Sequence, residues 1–223
     1  MTVPRPIPDG KMSRSAHQVI VLGPPGAGKG TQAERLAECL GLVHISPGEI
    51  LRREIPAGSE TGRQIVASMA AGDLVPDELV DGVVRDRLES LPPEQGFVLD
   101  GYPRTAAEAH SLRQLLARLG RLEPRPVVVW LEVPREELVR RLRRRRELGG
   151  RADDAEQALT RRLAIHDAHA GAVRDALRSW TDVVVIDGSP AVDAVTQEIL
   201  DRLYLIQSER ARHAVGSLQA SEA

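Results

Sequence analysis

Cysteine, lysine, aromatic residues and long apolar runs are all scarce in this chain, and each scarcity excludes something. Cys39 is a single cysteine in 223 residues, so no internal disulfide can form. The neighbouring Ala33, Leu36, Ala37 and Leu40 put Cys39 on the expected buried face of a helix, and the usage fits a reducing cytoplasm. Aromatic residues make up 2%, too few for the stacking platforms that hold single-stranded nucleic acid. A formal charge of −2 offers no basic surface for a phosphate backbone. The apolar runs are strand-sized, and the N-terminal stretch MTVPRPIPDGKMSRSAHQ has no apolar centre, so neither a membrane span nor a signal peptide is expected. Small molecules are the expected partners, with no nucleic acid and no membrane, and the chain is read as a cytoplasmic monomer.

What is present points to one α/β core. Apolar residues make up 42%, enough for a sizeable core in a chain of this length. Apolar runs at 19–22, 42–45, 97–99, 127–131 and 183–186 read as buried strands. Segments 31–40, 77–91, 106–119, 135–148 and 156–179 carry helical spacing. Strand and helix therefore alternate, which predicts a five-stranded parallel sheet covered on both faces. Residues 1–16 read as a disordered extension and 208–223 as a flexible tail, flanking one domain over 17–207.

The stretch VIVLGPPGAGKGTQAERL, residues 19–36, follows G-x-x-x-x-G-K-[ST] except that Gly30 stands where the pattern wants a hydroxyl. It leaves a strand and enters a helix, where backbone N–H groups and the helix N-terminus can cup phosphate oxygens. Gly26, Ala27, Gly28, Lys29, Gly30 and Thr31 are thus candidate nucleotide-phosphate residues. Of 30 basic residues only Lys11 and Lys29 are lysine, so Lys29 runs against the chain's own bias; a compact ammonium fits among backbone amides where a guanidinium would crowd. Moving the hydroxyl to Thr31 rotates it by roughly 100° about the helix, which leaves direct ligation of magnesium by the loop open. Asp100 ends the apolar run FVLD beside this loop and is a candidate for magnesium through water.

GPPGAGKGTQ resembles the loop of the adenylate kinase family of nucleoside monophosphate kinases. The resemblance extends through HISPGEILR, GDLVPDELV, FVLDGYPRT and GRADD in the family's order, over about residues 19–205. It implies an α/β P-loop three-layer fold with a five-stranded parallel sheet, a small helical monophosphate-binding insertion at about 46–75 and a short lid at about 146–154. It implies transfer of the γ-phosphoryl group of ATP, with Mg2+, to AMP. By resemblance Arg141 and Arg145 join the loop at ATP. Ser46, Pro47, Arg52, Asp73, Leu74, Val75, Gly101, Tyr102, Pro103, Arg104, Glu108, Arg151 and Arg162 lie at AMP. Lys29, Arg104, Arg141, Arg145, Arg151 and Arg162 form the catalytic set.

Local patterns give these residues other duties too. Ser46-Pro47-Gly48-Glu49 has capping-box spacing, and residues 73–75 also fit a solvated turn. In VRRLRRRRELGGRADD, Leu138 and Leu142 bury one helix face and set Arg141 and Arg145 on another, leaving Arg140, Arg143, Arg144 and Arg146 to solvent. Asp153 and Glu156 again have capping-box spacing. Nine residues separate Arg141 from Arg151, with no Cys or His ligand set among them, so no zinc is expected in the lid. Gly149-Gly150 is a candidate hinge. An ionised monophosphate oxygen needs no side-chain base, so positioning and charge neutralisation must carry catalysis, with lid closure excluding water.

The chain departs from the family at the base pocket, where adenylate kinases usually carry threonine at the position of Pro47 and glutamine at that of Glu108. An ionised glutamate only accepts hydrogen bonds; it mismatches adenine N1 and suits the N1–H and 2-amino group of guanine. Acceptor use shifted toward GMP is therefore an alternative. A nucleotide-binding sensor without turnover is another, against which stands the full set of phosphate-site residues.

Overall fold

The computed structural model describes residues 17–54, 59–148 and 156–221. Its sheet has five strands, β1 Gln18–Leu22, β2 Val43–Ile45, β3 Phe97–Asp100, β4 Val127–Glu132 and β5 Asp182–Asp187, all parallel in the order β2-β3-β1-β4-β5. β1 is central: Val19 pairs with Val98 on one side and Val127 on the other. Buried on both faces, it reads as an apolar run from Val19 to Leu22 after the buried Gln18.

Side chains alternate across the sheet and so divide the core in two. Val19, Val21 and Leu131 point to the face covered by α1 (Lys29–Leu40), α6 (Arg135–Glu147) and α8 (Val192–Ser221), through Leu36, Leu138 and Ile199. Ile20, Leu22, Leu99 and Val128 point to the opposite face, covered by α4 (Asp77–Glu89), α5 (Ala106–Arg118) and α7 (Glu156–Arg178). Between β2 and α4, α2 (Pro47–Glu54) and α3 (Glu60–Ala71) form an arm whose small apolar cluster centres on Leu51, Ile65 and Val75. The three layers and this arm match the expected architecture. The N-terminal extension and most of the expected lid lie outside the described residues.

One expectation is corrected. Cys39 is exposed, because the buried stripe of α1 runs through Gln32, Ala33, Leu36 and Leu40 and the cysteine falls beside it. Past residue 208, where a flexible tail is expected, α8 runs on through Ser221. Its anchor is chemical: Arg210 donates to the Arg125 carbonyl at 2.7 Å and pairs with Asp182, while Gln207 Nε2 lies 2.6 Å from His17 Nδ1. These bonds tie the helix to the amino end of the sheet. Removing residues 208–223 is expected to cost about 1–2 kcal/mol, or roughly 2–8 °C in Tm. Calorimetry of full-length and shortened chains checks this; equal melting would mean that the anchor adds nothing.

Candidate active site

The carboxyl ends of β3, β1 and β4 stand side by side, so the segments that follow them meet in one place. After β1 the chain turns through Gly26, at φ +87. A Cβ there would stand 2.9 Å from Leu142 Cγ, so the absence of a side chain lets the loop lie flat on α6. Gly28 caps α1 without a side-chain hydrogen bond, and the first turn carries no acidic residue. Its N–H groups are therefore left for an anion, favoured further by the helix dipole. A Cβ on Gly30 would lie 3.4 Å from Asp100 Oδ2, at van der Waals contact, so this position stands directly beside the carboxylate.

Lys29 Nζ donates to the Gly23 and Pro24 carbonyls, both at 2.9 Å. Burial, and then the charges of Arg104, Arg162 and Arg145, bring its ammonium down to about 7 despite the pull of Asp100. Among the described residues the cleft wall carries Lys29 and five arginines (Arg52, Arg104, Arg141, Arg145 and Arg162) against four carboxylates (Glu34, Glu49, Asp73 and Asp100), an excess of positive charge suited to a polyanion.

Asp100 accepts a hydrogen bond from Ser46 Oγ at 3.1 Å, and His44 Nε2 stands 3.8 Å away, an ion-pair distance too long for a hydrogen bond. Burial works to raise this carboxyl, but His44, Lys29 and Ser46 together hold it below the usual range. It is therefore an ionised oxygen donor facing the loop, a fit for water in the shell of a hard divalent cation. Among the described residues no group of three or more His, Cys, Asp or Glu could hold a metal ion, so a cation here would depend on phosphate oxygens for its other ligands.

The cleft encloses about 410 Å³. From the loop and β3 it is lined by Gly26, Gly28, Lys29, Gly30, Thr31 and Asp100; from the arm by Ser46, Arg52, Asp73, Leu74 and Val75. Gly101, Pro103 and Arg104 line it from the turn after β3, and Arg141, Arg145 and Arg162 from α6 and α7. Arg141 is held by Glu137 at 2.6 Å and by the Ser189 carbonyl at 3.0 Å, and Arg161 of α7 pairs with Asp73 of the arm. Pro47 and Glu108 line a smaller cavity of about 20 Å³ that adjoins the cleft. Ala27 is 2% exposed and forms the floor beneath the loop.

Tyr102, expected at AMP, faces the core instead: it is 2% exposed and its hydroxyl donates to Asp81 at 2.5 Å, a satisfied buried phenol. Arg151 and Gly149-Gly150 lie outside the described residues. Sequence reasoning passed over Glu34, Met69, Trp130, Ile165 and His166, all on the cleft wall. Signals existed for two of them. Trp130 lies near the carboxyl end of β4, beside the loop in sheet order, and His166 is one helical turn beyond Arg162 on the same face.

The fold and the cleft define a phosphotransferase of the P-loop class. The family model described as adenylate kinase matches residues 21–181. The chain is 43% identical over 183 residues to an adenylate kinase of Stenotrophomonas maltophilia (strain R551-3), covering 82% of this chain and 97% of that one. It is 39% identical over 201 residues to an adenylate kinase of Micrococcus luteus, covering 90% and 95%, and 36% identical over 210 residues to one of Thermosipho melanesiensis, covering 82% and 97%. This chain belongs to the adenylate kinase family and is a kinase. No helix among the described residues is long and apolar enough to cross a membrane.

Proposed function

We propose that this kinase moves the γ-phosphoryl group of ATP reversibly onto AMP, giving two ADP. The observation that carries the reading is the convergence of Arg104, Arg145 and Arg162 on Lys29 from three different segments. Binding one triphosphate needs the loop and its lysine. Guanidiniums arriving from both the acceptor turn and the α6–α7 side serve a group passing between two anions.

In this reading Gly26, Ala27, Gly28, Gly30 and Thr31 give backbone N–H groups to the ATP phosphates, and Lys29 leaves the Gly23 and Pro24 carbonyls to donate to the same oxygens. Arg141 and Arg145 hold the donor from α6. On the other side Ser46 and Arg52 of the arm and Arg104 of the turn orient the AMP phosphate, while the segment from Asp73 to Val75 and the adjoining wall of Pro47 and Glu108 enclose its base. Arg162, with Arg151 of the lid, bridges the two. Mg2+ bound with ATP supplies charge neutralisation across the phosphates, and Asp100 would hold it through water. No residue removes a proton, because the acceptor oxygen is ionised before it attacks. Closing the arm and lid keeps water from taking the phosphoryl group.

The partners in this reading are ATP and a nucleoside monophosphate, handled by a monomer in the cytoplasm. A shift of acceptor to GMP and a sensor without turnover are not favoured, since relatives at 36–43% identity carry the name adenylate kinase. Phosphorus NMR of ATP, Mg2+ and AMP mixed with the protein tests the proposal. ADP growing at the expense of both nucleotides is the expected result; ATP hydrolysis alone, or no change, would overturn it.

A further inference from the structure

The arm reaches across the cleft and touches α7 near its start. α3 ends on Gly72, whose φ of +79 turns the chain while its N–H caps the Ser68 and Met69 carbonyls. A Cβ on Gly72 would stand 2.4 Å from the Ala158 carbonyl oxygen and 2.9 Å from the Ala158 Cα. Two backbones meet here, and only a glycine lets them come so close. One residue further along the arm, Asp73 pairs with Arg161, which lies three residues after Ala158 and so on the same side of α7.

The two contacts flank the cleft. Gly72, Asp73 and Leu74 line it from the arm, and Arg162 lines it from α7, whereas Arg161 lies off its wall. The arm has an apolar cluster of its own, Leu51, Ile65 and Val75, distinct from the two that flank the sheet, and it rests on α4 through Leu79 and Val83. A unit with a separate small core is free to move as one piece. Against α7 it is held by a backbone seat, where Ala158 is 3% exposed, and by an ion pair whose side chains are 59% exposed at Arg161 and 33% at Asp73. The seat gives the contact its shape; the ion pair makes it sensitive to salt.

We propose that Arg161 is a positioning residue for the acceptor nucleotide: through Asp73 it draws the arm onto α7, seats Gly72 on Ala158 and so fixes the wall from Asp73 to Val75 around the AMP base. This rests on the function proposed above. Arg161 touches neither nucleotide, so it acts on how tightly the acceptor is enclosed and how readily it leaves, and not on phosphoryl transfer. An ion pair this exposed contributes a factor of a few, enough to bias the arm toward closure without locking it shut between turnovers.

The test is steady-state kinetics with AMP and Mg-ATP varied in turn, in the native enzyme, Arg161→Gln, Arg161→Lys and Gly72→Ala, at low and at high KCl. Arg161→Gln is expected to raise KM for AMP about twofold to fivefold at low salt, with KM for ATP level and kcat no lower than native. Arg161→Lys keeps the charge and should stay near native. At high salt the ratio of the glutamine variant's KM to the native KM should fall toward one, because screening weakens the native pair. Gly72→Ala carries a Cβ that no side-chain shift can clear from the Ala158 backbone, so its KM for AMP should rise roughly tenfold or more. If that variant melts below the assay temperature, the Arg161 variants decide alone. A native KM for AMP in Arg161→Gln, a ratio indifferent to salt, or a loss of kcat with both KM values raised alike would overturn the inference and leave the kinase reading standing. Failure of the native protein to phosphorylate AMP at all would overturn both.

Discussion

Lys29→Met is expected to lower kcat by about a hundredfold to a thousandfold while leaving the protein folded. The lysine packs no core and sits among carbonyls and guanidiniums, so its loss opens no cavity. Its ammonium is depressed from 10.5 to about 7, so native stability rises with pH across that interval and is lowest where the lysine is charged. An uncharged methionine removes that liability, and Tm at pH 7 should not fall. In the proposed function, what disappears is the donor that would turn from the Gly23 and Pro24 carbonyls to the ATP phosphates, which no arginine can replace inside the loop. A second readout separates this from a packing defect. At pH 8 the empty cleft holds Lys29 largely neutral, and bound polyphosphate draws its proton back. Calorimetry of ATP binding in two buffers of different ionisation enthalpy should show proton uptake by the native protein and a smaller uptake by the variant. An unchanged kcat would remove Lys29 from the chemistry.

Much of this site was legible because phosphate recognition is written in short contiguous stretches. The loop needs residues 23–31 and their strand-to-helix context, both readable without coordinates. The sheet was equally open, since Val19–Leu22 of β1 and Val127–Leu131 of β4 are buried on both faces and form continuous apolar runs. What sequence hid were contacts made across the fold. The end of α8 looks like polar tail until Arg210 meets Asp182, 28 positions earlier. Tyr102 looks like a cleft residue because it sits between Gly101 and Pro103, but the aspartate that receives its hydroxyl belongs to α4. Glu108 shows a different failure. Thr105-x-x-Glu108 has the same capping spacing as Ser46-x-x-Glu49, so its cap was readable; the burial and the α4 carboxylate of Asp77 that raise its carboxyl to about 7 are encoded in no local pattern.

Arg104→Ala is expected to cost about a hundredfold or more in kcat/KM for AMP, with KM for ATP within a few-fold of native. The residue is held at both ends. Its N–H goes to Glu108 and its Nε donates to the Gly101 carbonyl at 2.7 Å, which leaves the outer guanidinium nitrogens for phosphate. Nη2 lies 3.7 Å from where a Cβ on Gly48 would stand and 3.6 Å from one on Gly101, so the group lies between the start of α2 and the turn after β3. Arg104→Lys discriminates between charge and shape. A lysine restores the charge but cannot hold the Gly101 carbonyl through one nitrogen and fork onto phosphate through two others. It should recover no more than about a tenth of native kcat/KM. Full recovery by lysine would mean that charge alone matters at this position; no loss in the alanine variant would mean that the acceptor phosphate is held from elsewhere, with Arg52 the next residue to replace.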